Sequence, residues 1–132
     1  MLFTYGELSD CLIPESGSMT LPCLTLHAHW AAAIFQLGKD VENRTWSTEH
    51  RGRLAIHAGR RLDPAICATL GLDPDKLVIG AILGTVELIE IVTNSRSRWA
   101  MPGHYHWVLA NPRPLDQPKP HMGKQTLHTV TL

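Results

Sequence analysis

The longest apolar stretch, residues 78–92, constrains the fold of the chain more than any other sequence feature. β-branched residues dominate this stretch, which favours a strand over a helix. Gly80 and Gly84 lie within it and predict bends or bulges, as at the corners of a small closed barrel. The sequence therefore predicts a fold organised mainly by β-structure.

Shorter apolar segments predict further strands around this one. In residues 20–27, Leu24 and Leu26 share one parity and are expected to face the core. The stretch after residue 111 contains Pro112 and three later prolines, and we predict that it is extended and irregular. The other predicted strands are residues 41–46, 53–58, 104–110 and 125–132, with a possible short strand at residues 2–5.

Two short helices are predicted. Alanine and leucine favour helix over residues 30–37, and Gly38 stands where that helix ends. The second helix is predicted to begin at Asp63 and Pro64, which are typical of an N-cap and of the first helical position. It is predicted to end at Gly71. Residues 73–76 predict one more turn.

These helices are too few and too short to cover a parallel sheet as crossovers. The prediction is an α+β, mainly β fold, a small mixed barrel of about six strands with two short helices. The 132 residues suit one domain. We interpret residues 1–19 as an N-terminal tail or edge strand, because residues 15–18 resemble a linker, and residues 20–132 as the domain.

Composition excludes some classes of protein. The 12 basic and 12 acidic residues leave no net charge, which argues against gripping nucleic acid by bulk charge but permits a local patch. Three widely spaced cysteines without a C-x-x-C motif indicate neither a zinc finger nor a disulfide framework, so a reducing, cytoplasmic setting is expected. No apolar run reaches the length that spans a bilayer. Basic residues that can form a local groove are Lys39, Arg44, Arg51, Arg53, Arg60, Arg61, Arg96, Arg98 and Arg113.

A candidate polar pocket lies just after the first helix. Glu42, Arg44 and Trp46 alternate along a strand and share one face, and Lys39 can turn to the same side. Lys39 is a candidate to neutralise a phosphate or, if desolvated, to act as a base; otherwise it is a solvated lysine after a helix C-terminus. Glu42 can accept from a base's amine, activate water, or pair with a neighbouring cation. Arg44 is a phosphate clamp or a structural ion pair.

Aromatic and histidine side chains complete the candidate site. Trp30, Trp46 and Tyr105 can stack on an unpaired base, although aromatic residues are more often core. Trp107 is interpreted as packing and His57 as a histidine in the pocket wall. The H-x-H pairs at residues 27–29 and 104–106 lack complementary ligands, and no P-loop or dinucleotide motif is present. No metal and no cofactor are therefore expected.

Residues 24–31, 38–46, 52–58, 80–88 and 105–115, in this order, resemble the ASCH family, a relative of the PUA fold. Lys39, Glu42 and Arg44 match the family's G-x-K-x-x-E-x-R motif, while Leu37 occupies its first glycine position. The resemblance implies a PUA-like barrel that binds RNA or a modified nucleobase in a cleft beside the first helix.

The leading hypothesis is recognition of RNA, or of one nucleotide, by Lys39, Glu42 and Arg44. The first alternative is a small metal-independent hydrolase, an N4-acetylcytidine amidohydrolase or a ribonuclease, with Lys39 and Glu42 as acid–base groups. Glu42 occupies the place of the threonine nucleophile in family amidohydrolases, so that mechanism does not carry over. The second alternative is a protein-interaction module.

Overall fold

A computed structural model describes residues 18–132 of the chain. The first 17 residues of the predicted tail, with the possible strand at residues 2–5, lie outside this described part. Six strands form one sheet in the order β2-β5-β4-β3-β1-β6. The strands are β1 (Thr20–Leu26), β2 (Val41–Arg44), β3 (Gly52–Ala58), β4 (Ala81–Val92), β5 (Tyr105–Pro120) and β6 (His128–Thr131), and the helices are α1 (Ala28–Gln36) and α2 (Pro64–Leu70), followed by a 3₁₀ turn at Pro74–Lys76.

The sheet is mixed. β1 and β3 run parallel, and the other four pairings among the described strands are antiparallel. β2 and β6 end the hydrogen-bonded order and do not pair with each other in the described part, so the sheet is not closed by hydrogen bonds. The predicted α+β, mainly β class is confirmed, and the open sheet is consistent with a barrel-like fold.

The bend predicted at Gly84 is present. The β4–β5 register shifts between Ile82 and Gly84, which is typical of a bulge. A Cβ atom at Gly84 would lie 2.7 Å from Cα of Pro114 and 2.8 Å from the Phe35 ring. Glycine therefore allows β5 and α1 to approach the β4 backbone closely.

The predicted end of the fifth strand is wrong. β5 continues through the proline-rich stretch to Pro120, and its second half pairs with β4 as far as residue 81. β2 pairs with residues 105–108 of β5, so the later residues form an edge of the sheet. Proline lacks an N–H donor and is tolerated on such an edge, because no partner there requires the missing hydrogen bond.

The helices follow their local signals. The Asp63 side chain accepts hydrogen bonds from the backbone N–H groups of Ala65 and Ile66, and Gly71 ends α2 with φ of +75°, as predicted. α1 buries Ala28, Ala31 and Ile34 against Leu24, Leu26 and further apolar residues of the sheet. β1 is also buried on its other face, where Leu21 and Cys23 join a second apolar cluster with Ala55, Ile82 and Val130.

Candidate functional site

Lys39 is buried immediately after α1. Gly38, with φ of +72°, turns the chain, and the Lys39 backbone N–H donates to the Ala33 carbonyl. This turn directs the side chain inward, where 2% of it is exposed. Lys39 Nζ lies 3.3 Å from Oε1 of Glu42 and donates to the Val41 carbonyl oxygen. A buried ammonium group is therefore compensated by one carboxylate and one carbonyl.

Two indole rings enclose the same ammonium group. Lys39 Nζ lies 5.3 Å from the centroid of the Trp30 ring and 5.7 Å from that of Trp99, within the range of cation–π attraction. Burial lowers the pKa of Lys39 below its ordinary value, and the nearby Glu42 carboxylate opposes this shift. Lys39 is thus held within a packed cluster rather than in solvent.

Glu42 joins this buried lysine to a more exposed arginine. Its second carboxylate oxygen, Oε2, lies 3.3 Å from an Arg44 guanidinium nitrogen. The Arg44 guanidinium lies 5.3 Å from the centroid of Trp46, and Trp46 packs edge-to-face on buried Trp107. The predicted convergence of Lys39, Glu42, Arg44 and Trp46 is found, but as a series of contacts and not as an open pocket around all four.

A cleft of about 750 Å³ lies beside Arg44. It is bounded by the end of β1, the end of β3 with the turn that follows, and the segment after β5. Four arginine or lysine residues and three histidines line it, and its lining in the described part contains no aspartate or glutamate. These basic residues are Arg44, Arg60, Arg61, Lys124, His27, His57 and His121. The cleft is therefore suited to an anion.

The candidate residues divide between the cleft and its surroundings. Arg44 and His57 belong to the cleft lining. The other five, Lys39, Glu42, Trp30, Trp46 and Tyr105, are not part of that lining. Lys39 instead borders a separate hollow of about 100 Å³ near the end of α1, and Tyr105 is half-exposed opposite Arg44 in the β2–β5 ladder.

His57 forms part of the inner wall of the cleft, and 1% of it is exposed. Its Nε2–H donates to the His121 carbonyl oxygen at 2.6 Å, so Nδ1 carries no proton in the neutral ring. Nδ1 is buried and has no hydrogen-bond partner. Burial lowers the pKa of His57, and the hydrogen bond to His121 partly opposes this effect.

Sequence reasoning missed the segment of residues 120–125, which it divided between an irregular proline-rich stretch and the start of the last predicted strand. Pro120, His121, Met122, Gly123, Lys124 and Gln125 all line the cleft. Gly123 and Lys124 lie about 80 residues from Arg44, so spacing in the sequence could not connect them to it.

The predicted local basic groove contains three of the nine basic residues proposed for it, namely Arg44, Arg60 and Arg61. Others are used elsewhere. Arg53 lies 3.6 Å from Glu87, and Arg98 stacks on the Trp99 ring at 4.7 Å. The groove is therefore smaller than the basic content of the sequence permits.

The paired histidines are used in the fold. His106 Nδ1 accepts from the Ser95 backbone N–H, and its Nε2–H donates to the Met101 carbonyl oxygen. His29 Nδ1 accepts from the Asp63 backbone N–H. Within residues 18–132, no three His, Cys, Asp or Glu side chains form a group that could hold a metal ion. Neither helix in that range has the length and apolar character needed to cross a membrane.

A family model described as "ASCH domain" matches residues 24–119, which is more than half of the chain. The chain belongs to the ASCH domain family. ASCH domains are associated with RNA binding. The match includes α1, Lys39, Glu42 and Arg44, and it ends before the 120–125 segment that completes the cleft.

Two curated relatives share this ASCH region. Activating signal cointegrator 1 of Mus musculus is 35% identical over 92 residues, which cover 61% of this chain and 16% of the relative. The Homo sapiens protein of the same name is 33% identical over 92 residues, with the same coverage. The aligned region thus spans about one sixth of the length of these relatives.

Proposed function

We propose that this ASCH domain binds RNA, or one nucleotide of it, in the basic cleft beside Arg44. The observation that supports this most directly is the composition of the lining, in which Arg44, Arg60, Arg61 and Lys124 are cationic and the described part provides no carboxylate. Phosphate groups are the natural partners of such a surface, and arginine can bind them with two parallel hydrogen bonds.

The local position of the charge explains how a neutral protein binds a polyanion. Basic and acidic residues balance over the whole chain, so attraction at long range is weak. Within the cleft the cations are concentrated on one concave surface. RNA affinity is therefore expected to depend on a few contacts, and on salt through those contacts.

In this proposal Lys39 and Glu42 act on the ligand through Arg44. The Glu42 carboxylate lies between Lys39 and Arg44 at 3.3 Å from each, which restricts where the guanidinium points. Lys39 compensates the carboxylate inside the protein. A modified nucleoside remains an alternative ligand for the same cleft, and the direct catalytic roles of Lys39 and Glu42 stay predictions.

The test is fluorescence anisotropy of a short single-stranded RNA across a salt series. The double variant R60Q/R61Q is expected to weaken binding and to reduce the slope of log K against log salt by about 1.4, or about 0.7 for each phosphate that the variant no longer neutralises. R51Q/R98Q is the matched control, because it removes the same charge outside the cleft lining. Equal slopes in both double variants, or no RNA binding by the unmodified chain, would overturn the proposal.

The same preparation tests the hydrolase alternative. Incubation with N4-acetylcytidine and with RNA, followed by chromatography, reports deacetylation and strand cleavage. If the unmodified chain turns over either substrate and Lys39→Ala abolishes this turnover with the fold intact, the protein is a hydrolase and not a simple binding module. RNA that is bound and recovered unchanged supports a binding module.

A further inference from the structure

Residues 120–125, which we call the C-terminal wall, form the side of the cleft that the family match does not include. Three hydrogen bonds to backbone groups of this wall hold it against neighbouring residues. The His121 N–H donates to the Gly80 carbonyl at 3.0 Å, and the His121 carbonyl accepts from His57 Nε2–H. The Lys124 N–H donates to the Thr25 hydroxyl at 3.3 Å.

A histidine pair fixes the same wall to β6. Nε2 of His121 lies 2.9 Å from Nε2 of His128, and the ring planes differ by 3°. The ring centroids are 5.1 Å apart. This separation is about the sum of the nitrogen–nitrogen distance and one ring radius on each side, so the two nitrogens lie nearly on the line that joins the centroids. The rings therefore lie end to end and share one proton, rather than face to face. His128 Nδ1 faces the Thr126 carbonyl, so His121 is the donor in this pair.

Gly123 fixes the wall on the other side. A Cβ atom at this position would lie 2.7 Å from the Thr25 hydroxyl oxygen and 2.8 Å from the His57 ring. The backbone is therefore pressed against the inner surface of the cleft, as only glycine permits. His121 and Gly123 therefore hold the chain in place on either side of residue 122.

That residue is Met122, and 86% of it is exposed at the cleft. Single exposed apolar residues are common and usually need no explanation. Met122 differs because its backbone is fixed on both sides and its side chain stands among the cations of the cleft. A thioether is polarisable and makes favourable contacts with aromatic rings. The cations suit a phosphate and the exposed thioether suits a base, which are two of the three chemical parts of a nucleotide.

We propose that Met122 packs against an unpaired base of the bound strand while Lys124 contacts a neighbouring phosphate. This inference rests on the proposed function and names its substrate class as single-stranded RNA. Bases in a duplex are stacked on each other, so their faces are not available to a side chain at the cleft. Sequence preference is expected to be weak, because every base offers such a face.

The experiment compares three labelled RNAs by anisotropy, namely a single strand, the same strand with abasic positions, and a duplex. Met122→Ala is expected to weaken binding of the single strand about two- to tenfold, without changing the salt slope or the affinity for the abasic strand. Met122→Leu is expected to retain part of the affinity. Lys124→Gln is expected to reduce the salt slope by about 0.7.

Met101→Ala is the matched control, because Met101 is also exposed but does not line the cleft. Thermal unfolding of each variant establishes that the fold is intact. If the unmodified chain binds no RNA, the proposed function and this inference both fail. If the unmodified chain binds RNA but Met122→Ala binds the single strand as tightly as the unmodified chain does, the inference alone is wrong. The inference alone is also wrong if Met122→Ala weakens binding of the abasic strand as much as binding of the complete single strand. Equal affinity for duplex and single strand would also overturn it.

Discussion

Lys39 Nζ lies 3.3 Å from Oε1 of Glu42, and both side chains are almost completely buried. Glu42 Oε2 then lies 3.3 Å from Arg44, which reaches the cleft. The three residues therefore link the interior of the ASCH domain to the surface proposed to bind RNA. Because two of these charges are removed from water, each depends on its partner.

The first prediction concerns this buried pair. Lys39→Met leaves Glu42 buried beside Arg44 alone, and the free energy of unfolding is expected to fall by about 3 kcal/mol in urea denaturation. The double variant K39M/E42L removes both charges and is expected to recover most of that loss. A double variant less stable than Lys39→Met would contradict this account.

The second prediction concerns pH. Burial holds the folded-state pKa of His57 below 6.5, so the unfolded chain binds more protons between that lowered pKa and 6.5. The contribution of neutral, buried His57 to the free energy of unfolding is complete above pH 6.5. This contribution is lost as the pH falls through the folded-state pKa of His57. His57→Gln is expected to flatten the pH dependence of the urea midpoint below pH 6.5. His121, whose pKa is also lowered, accounts for a residual slope. Unchanged slopes would refute the assignment.

The third prediction concerns the close approach at Gly84. Gly84→Ala places a methyl group against the backbone of β5, and the expected loss of unfolding free energy is about 3 kcal/mol. Gly103→Ala is a useful comparison, because Gly103 has φ of +81° but open space around it. Its expected cost is about 1 kcal/mol, from backbone strain alone. Thermal or urea unfolding checks the order, and a greater loss in Gly103→Ala would be the contrary result.

The fourth prediction concerns Cys23, which is fully buried in β1. Burial raises the pKa of its thiol to about 12, so little thiolate is present near neutral pH. A thiol-alkylating reagent is expected to label Cys23 in the native protein far more slowly than in urea. Peptide mass spectrometry follows this cysteine separately from the others. Rapid native labelling would show that β1 is accessible to solvent.

Local signals carried much of the fold. Asp63 and Gly71 define the ends of α2 because capping depends on residues a few positions apart. The predicted strand at residues 78–92 and its bend at Gly84 likewise follow from side-chain branching and the absence of a Cβ atom. The contacts among Lys39, Glu42 and Arg44 were predictable for the same reason, since all three lie within six residues.

Long-range pairing determined the rest. β5 continues through its prolines because only one of its sides needs hydrogen bonds there, which is a property of its place at the sheet edge. The cleft combines Arg44, His57, Arg60 and Lys124, which strand order brings together across 80 residues. Burial of Lys39 and exposure of Met122 depend on what packs around each side chain. Neighbours in sequence specify turns, helix caps and strand character. Whether a side chain is buried or exposed to solvent depends instead on segments that are distant in the sequence.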